Sequence, residues 1–235
     1  MSSFEDLPFS AEGFSGMVRL FPLPNLVLFP HVMQPLHVFE PRYHELLEDA
    51  LSDDRLIAMA VLAPGWESDY EGRPPLYPIA CLGEITTYHR LEDGTYNVLL
   101  LGLQRVRLVR ELRPARSFRE AKVELCEDYS PPCRAIARAT LRRRLRGALV
   151  GILPSLPEAQ EQLDQLLSTD VSLGVLTDVI SYMLDLDLRD KEALLAQTDV
   201  DRRAELLLEH LSVALTGHHP TGWGEIAFPP QFSTN

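Results

Sequence analysis

From Leu20 to Tyr43 the chain reads LFPLPNLVLFPHVMQPLHVFEPRY, an apolar run cut by five prolines. A run this apolar has to be buried, yet proline lacks the backbone N–H that a helix interior or a central strand requires. The stretch therefore predicts short, bent or edge strands. Val18–Leu23, Leu26–Phe29 and Val32–Phe39 are the candidates, and Pro22, Pro24, Pro30 and Pro35 mark their bends and ends. Pro41 suits the first turn of a helix, where its missing N–H costs nothing. Tyr43, Leu46, Leu47, Ala50 and Leu51 follow at helical spacing.

A strand is expected at Leu56–Leu62, followed by a long loop, APGWESDYEGRPPLYP, over residues 63–78. Beyond it, ITTYHRLEDGTYNVLLL is a strong hairpin signal. Asp93-Gly94 fits a two-residue type I′ turn, which would set Leu91 opposite Tyr96 and Tyr88 opposite Leu99. Alternation in LQRVRLVREL and FREAKVELCED predicts further strands. Many short strands around one early helix point to a small, partly closed barrel. From Pro131 the period becomes helical, with helices expected at 132–152, 157–168, 172–184, 188–198 and 200–215. Ser172 is placed to cap the third of these, whose Leu173, Leu176, Val179, Ile180, Met183 and Leu184 form an apolar stripe, and the fifth offers Leu207, Leu208, Leu211 and Leu215 for burial. The expectation is an α+β chain, a barrel over 17–127 and a helical bundle over 131–215, with flexible termini at 1–16 and 216–235.

Composition narrows the function. No apolar run approaches the roughly 20 residues needed to cross a bilayer. The acidic leader lacks the order of a secretory signal. Cys81, Cys126 and Cys133 have no metal-ligand spacing and read as reduced thiols, which predicts a cytoplasmic protein. The net charge of −12 argues against a general nucleic-acid binder.

Catalytic motifs fail on inspection. In GFSGM, Met17 stands where a nucleophile elbow needs its last glycine. In HELLE, Glu48 replaces the second histidine of H-E-x-x-H and no third ligand is indicated, so a solvated helix face is the plainer reading. His218-His219 lies in a breaker-rich tail and reads as exposed. No metal or cofactor is expected.

Two surfaces remain. In the 63–78 loop, Trp66, Tyr70, Leu76 and Tyr77 lie beside Arg73, residue types enriched at binding hot spots. The alternative is that they fold back to plug the barrel end. Arg134, Arg138, Arg142 and Arg146 recur every fourth residue in a tract that also holds Arg143 and Arg144 and has no acid. Such a stripe serves either as an electrostatic docking face, for an acidic segment or nucleic acid, or as a solvated face balanced by the acidic remainder. No aromatic residue stands among these arginines to stack on bases.

VRLFPLPNLVLFPHVMQPLHVFEPRY, GEITTYHRLEDGTYNVLLLGLQRVRL and the helical LTDVISYMLDLDLRDKEALLAQTDVDRRAELLLEHL together resemble the Lon protease N-terminal substrate-binding domain family, over residues 17–215. The resemblance implies a PUA-like pseudobarrel followed by a C-terminal helical bundle, and a polypeptide partner, unfolded or folded. It further implies an adaptor or regulatory role in protein quality control, alongside a protease or another machine. G-x-x-x-x-G-K-[ST] does not occur, and the chain ends before a Ser–Lys protease domain would begin, so the expectation is a non-catalytic, stand-alone member. A nucleic-acid-binding PUA-like module, using the arginine-rich helix 134–146, is the alternative.

Overall fold

In a computed structural model the described residues are 9, 11–70, 72–113, 116–152, 171–215 and 233–234. The chain divides into two compact units, one holding residues 7–127 with 232–235 and the other 128–231 with 1–6.

The first unit contains strands β1 (Met17–Leu23), β2 (Met33–Val38), β3 (Leu56–Val61), β4 (Ile79–Arg90), β5 (Tyr96–Glu111), β6 (Arg119–Cys126) and β7 (Ser233–Thr234), with helix α1 (Pro41–Leu51) between β2 and β3. The strand order is β4-β3-β1-β6-β5, and β4 pairs again with β5, which closes a ring of five. β1 and β3 are parallel; the other contacts in the ring are antiparallel. The long β5 makes closure possible. Its second half pairs with β6, while its first half carries β2 as an outer strand, with β7 parallel beside β2.

Ala58, Ala60, Ala80 and Ala121 share the ring's core with Val18, Leu20, Leu82, Val106 and Val123. Small side chains belong there because the interior of a five-stranded ring is narrow. Phe9 and Phe14 pack against this core, edge to face at 5.7 Å, so this part of the expected flexible leader is docked. Outside the ring, α1 buries Tyr43, Leu46, Leu47 and Ala50. Tyr43 stacks on Phe21 at 4.0 Å and its hydroxyl donates to the Pro22 carbonyl at 2.9 Å. Arg19 on β1 reaches Asp49 on α1 and Asp53 and Asp54 just beyond it, tying strand to helix.

The proline-broken stretch is explained by what it crosses. Residues 24–32 are irregular rather than a second strand, although Val27, Leu28 and Phe29 are fully buried. The segment passes over β5 at Gly102: His31 N–H donates to the Gly102 carbonyl and Gly102 N–H to the Val32 carbonyl, both at 2.8 Å. A Cβ at Gly102 would lie 2.0 Å from the Phe29 carbonyl oxygen, so only glycine permits the crossing.

The β4–β5 turn also differs from expectation. Gly94 alone takes positive φ (+88°), Gly94 N–H donates to Leu91 O, and Leu91 N–H donates to Thr95 O. This is a three-residue loop ending in a left-handed glycine. Tyr88 consequently faces Val98, one residue away from the expected Leu99. The Asp93 carboxylate selects this form by accepting from both the N–H (3.0 Å) and the hydroxyl (2.7 Å) of Thr95.

In the second unit lie α2 (Ala135–Ile152), α3 (Leu173–Met183), α4 (Leu188–Ala196) and α5 (Val200–Leu215). The helix expected at 157–168 falls outside the described residues. Ser172 caps α3, its Oγ accepting from Val175 N–H at 3.2 Å. This helix is buried well beyond its apolar stripe, with Thr177, Asp178 and Ser181 inside as well. The polar groups converge on Arg203 of α5, which is fully buried. Its guanidinium donates to Thr177 Oγ1 at 2.9 Å, to the Gln197 carbonyl at 2.7 Å and to the Asp128 carboxylate, with Asp178 at 3.3 Å.

Candidate functional site

The 63–78 loop leaves β3 and turns at Gly65, whose φ of +94° no β-carbon-bearing residue takes without strain. Trp66–Ser68 form one 3-10 turn, and Trp66 meets Tyr70 edge to face at 5.6 Å. Tyr70 does not stand free. Its hydroxyl donates to Glu40 Oε1 at 2.8 Å, and its ring lies 4.9 Å from the guanidinium carbon of Arg42. The same guanidinium lies 4.8 Å from the Tyr43 ring and is held by the Glu40 carboxylate at 2.8 Å. Trp66, Tyr70, Arg42, Tyr43 and Phe21 thus form a continuous stack from loop to barrel wall, with a cation among the rings. Burial pushes the Tyr70 hydroxyl above its ordinary range, its bond to Glu40 pushes it further, and it remains a proton donor at neutral pH.

The rest of the loop goes elsewhere. Leu76 bridges to Leu62 and packs against the barrel core, and Tyr77 N–H donates to the Val61 carbonyl at 2.9 Å. Leu76 therefore acts as the plug weighed for this loop, while Trp66, Tyr70 and Arg73 stay with the outer cluster. Arg73 donates to the Leu112 carbonyl at 3.2 Å and lies 3.6 Å from Glu111. Glu111 also takes both ends of Arg119 at 2.9 and 2.5 Å, and Arg119 in turn holds the Pro74 carbonyl at 2.9 Å. Between these groups lies a cleft of about 430 Å³ walled by Arg42, Tyr43, Arg73, Arg116, Phe118 and Arg119.

Arg42, Arg116 and Arg119 carry no motif, so sequence reasoning passed them over. The one local signal is EPRY, residues 40–43, where Glu40 and Arg42 bracket the helix start that presents Arg42 to the loop.

The arginine stripe of α2 is partly spent inside the helical unit. Arg134 pairs with Glu205 at 3.0 Å and Arg138 with Asp201 at 2.9 Å, both acids on α5. Arg142 and Arg146 are half-buried on the same side of α2, whereas Arg143 and Arg144 are exposed. At its first two positions the stripe is paired with acids of α5, although the Arg134 side chain stays 42% exposed.

The barrel and the helices that follow it in the chain correspond to a known family. The profile described as the ATP-dependent protease La (LON) substrate-binding domain matches residues 17–213. The chain belongs to this family. Among curated relatives, it is 28% identical to Lon protease 2 of Myxococcus xanthus over 203 residues, 86% of this chain and 24% of that protein. It is 30% identical to the Lon protease of Heliobacterium modesticaldum over 196 residues, 82% of this chain and 23% of that protein. The chain spans about a quarter of the length of these relatives. Among solved structures, the N-terminal domain of Mycobacterium avium complex Lon protease superposes with a TM-score of 0.67 at 17% identity, covering 83% of this chain and 98% of that one. The Lon N-terminal domain protein from Xanthomonas campestris gives 0.57 at 22% identity, covering 82% and 97%. These superpositions show the fold, a Lon N-terminal domain of α+β class. Family membership supports substrate recognition as the domain's role. No helix among the described residues is long and apolar enough to cross a membrane.

Proposed function

We propose that this chain is a non-catalytic, cytoplasmic polypeptide-recognition module that acts as an adaptor or regulator in protein quality control. The observation that carries the reading is the family match to a substrate-binding domain across residues 17–213. The outer cluster on the barrel unit supplies the contact surface. Trp66 and Tyr70 offer apolar faces of the kind that dominate binding energy, and Arg42, held between rings and Glu40, keeps them ordered before a ligand arrives. Ordering in advance lowers the entropy cost of binding. The chemistry asked of such a surface is capture and release, which needs no nucleophile and no metal.

Fluorescence anisotropy with a labelled unfolded polypeptide tests the reading. Trp66→Ala with Tyr70→Ala should weaken binding about tenfold or more, the loss expected for two aromatic anchors. The fold should persist by circular dichroism with a modestly lower melting temperature, because Tyr70 also bonds Glu40 and packs on Arg42. Wild-type protein that binds no unfolded polypeptide, or a double variant that binds as well as wild type, refutes it.

A further inference from the structure

Four arginines line the cleft beside the aromatic cluster, and among the described residues that line it none is acidic. In a chain of net charge −12 this is a local inversion of sign. The arginines come from separate places: Arg42 from the start of α1, Arg73 from the long loop, Arg116 from the turn before β6 and Arg119 from the start of β6. Each has a carboxylate partner. Glu40 holds Arg42, Asp49 holds Arg116, and Glu111 holds Arg119 bidentately with Arg73 nearby. Burial would raise the Asp49 carboxyl, but the guanidiniums of Arg19 and Arg116 outweigh it and hold the group below the usual carboxylate range. The anchor on Arg116 is therefore charged at neutral pH.

A guanidinium has five N–H donors in a planar fork. Arg73 uses one nitrogen on the Leu112 carbonyl and Arg116 one on Asp49, and both side chains are accessible, at 33% and 42% exposure. Their remaining N–H groups match the geometry of a carboxylate. Tyr43 and Phe118 add flat apolar walls, and the cleft's volume of about 430 Å³ suits one or two side chains. We propose that the cleft walled by Arg42, Arg73, Arg116 and Arg119 is a carboxylate pocket that selects acidic segments of polypeptide.

This rests on the polypeptide-recognition reading and specifies what it selects. Charge decides for a carboxylate over a nucleic acid. Asp49 is shared with Arg19, which also holds Asp53 and Asp54, so the neighbourhood as a whole carries no cationic surplus, and the attraction is local to the accessible guanidiniums of Arg73 and Arg116, which suits a single carboxylate. A phosphodiester chain brings one charge per nucleotide and needs a cationic track extending beyond the cleft. Around this cleft the track is interrupted by those same acids, and by Glu45, which accepts from Ser117 on the cleft wall.

The test is anisotropy with matched short peptides on the full chain. One contains tryptophan and two glutamates; its twin has glutamine at both positions; each is made with a free and an amidated C-terminus. The acidic peptide should bind about tenfold tighter than its twin at low salt, the worth of about one well-made charge-assisted contact. Arg73→Gln with Arg116→Gln should erase the gap, so that the acidic peptide and its twin bind the variant equally. Both residues are accessible, so circular dichroism and melting should match wild type. If the free C-terminus alone carries the preference, the ligand is a chain end, which supports a carboxylate pocket but assigns its source. Equal binding of acidic and neutral peptides overturns the pocket and leaves polypeptide recognition standing. A preference that survives in the double variant also overturns it, by placing selection elsewhere. If neither peptide nor unfolded polypeptide binds, the recognition reading falls and the pocket with it. Tighter binding of a single-stranded oligonucleotide through the same two arginines overturns the assignment to polypeptide.

Discussion

Glu192 should make the helical unit less stable as pH rises. The side chain lies on α4 and is only 4% exposed, and its Oε1 has no hydrogen-bond partner among the described residues. Burial pushes its carboxyl up to about 8, from an ordinary 4.5. The folded unit therefore holds this proton more tightly than the unfolded chain does. Stability from the neutral carboxyl is fully present below about pH 4.5, falls as pH rises toward about 8, and is flat above that. The slope in the window is at most about 1.4 kcal/mol per pH unit, so the whole window is worth up to about 5 kcal/mol. That is a large part of the stability of an ordinary domain, about 5–15 kcal/mol. Urea unfolding followed by circular dichroism at the helical minimum, from pH 5 to pH 9, reads the effect directly. Glu192→Gln keeps the shape and removes the titration. It should match wild type within about 2 kcal/mol at pH 5, because an amide buried without partners has a similar cost. It should exceed wild type by several kcal/mol at pH 8.5. Lys191 is lowered by burial, against the pull of Asp185, and contributes a slope of opposite sign. Comparing the two proteins at each pH removes that contribution. Parallel pH profiles for wild type and Glu192→Gln would show that the carboxyl does not titrate in a buried setting.

Arg203→Met should destabilise the helical unit by about 3–5 kcal/mol, since it removes the buried cation that pairs with buried Asp178; loss of cooperative melting by circular dichroism checks this. Gly102→Ala should cost about 3 kcal/mol or prevent soluble folding, because the new methyl meets the Phe29 carbonyl and the crossing segment cannot shift without opening the core. Gly94→Ala meets no neighbour and keeps only the penalty of positive φ, so it should cost about 1 kcal/mol by the same denaturation assay. The order Gly102 well above Gly94 is the discriminating result.

The strands and helices were legible where one physical cause dominates. Pro41 opens α1 and Ser172 caps α3 as their local chemistry requires. The misses arose where a distant backbone decides. Leu26–Phe29 has the composition of a strand, but its neighbour is Gly102 on β5, and a segment crossing a strand cannot also run along it. At the hairpin, Asp93-Gly94 fits a type I′ turn by residue type. The Asp93 side chain bonds Thr95 instead, so one glycine suffices and the register moves by one residue. Thr95 stands in the sequence, but residue types alone do not rank the two turn forms; the side-chain bonds of Asp93 do.

The two groups of arginines show why charge in a sequence does not separate structure from recognition. Arg134, in the turn just before α2, and Arg138 on α2 are spaced four apart, and on α5 Asp201 and Glu205 share that spacing. The pairing is crossed, first with last, as two antiparallel helices demand, and the acids meet the arginines head-on within the bundle. That complement was present in the sequence, in acids 71 and 63 residues from the arginines they answer. In the cleft, acids are also close, yet none is among the described lining residues, and Glu111 serves two of the arginines. The carboxylates fix the cations; Arg119 spends all three nitrogens on Glu111 and the Pro74 carbonyl, whereas Arg73 and Arg116 each hydrogen-bond through one nitrogen and keep N–H groups for a ligand. A motif search ranks the regular stripe first because it is periodic. Geometry separates the two groups: Arg134 and Arg138 of the periodic set pair with α5, while the scattered arginines converge on an opening lined by no acid among the described residues.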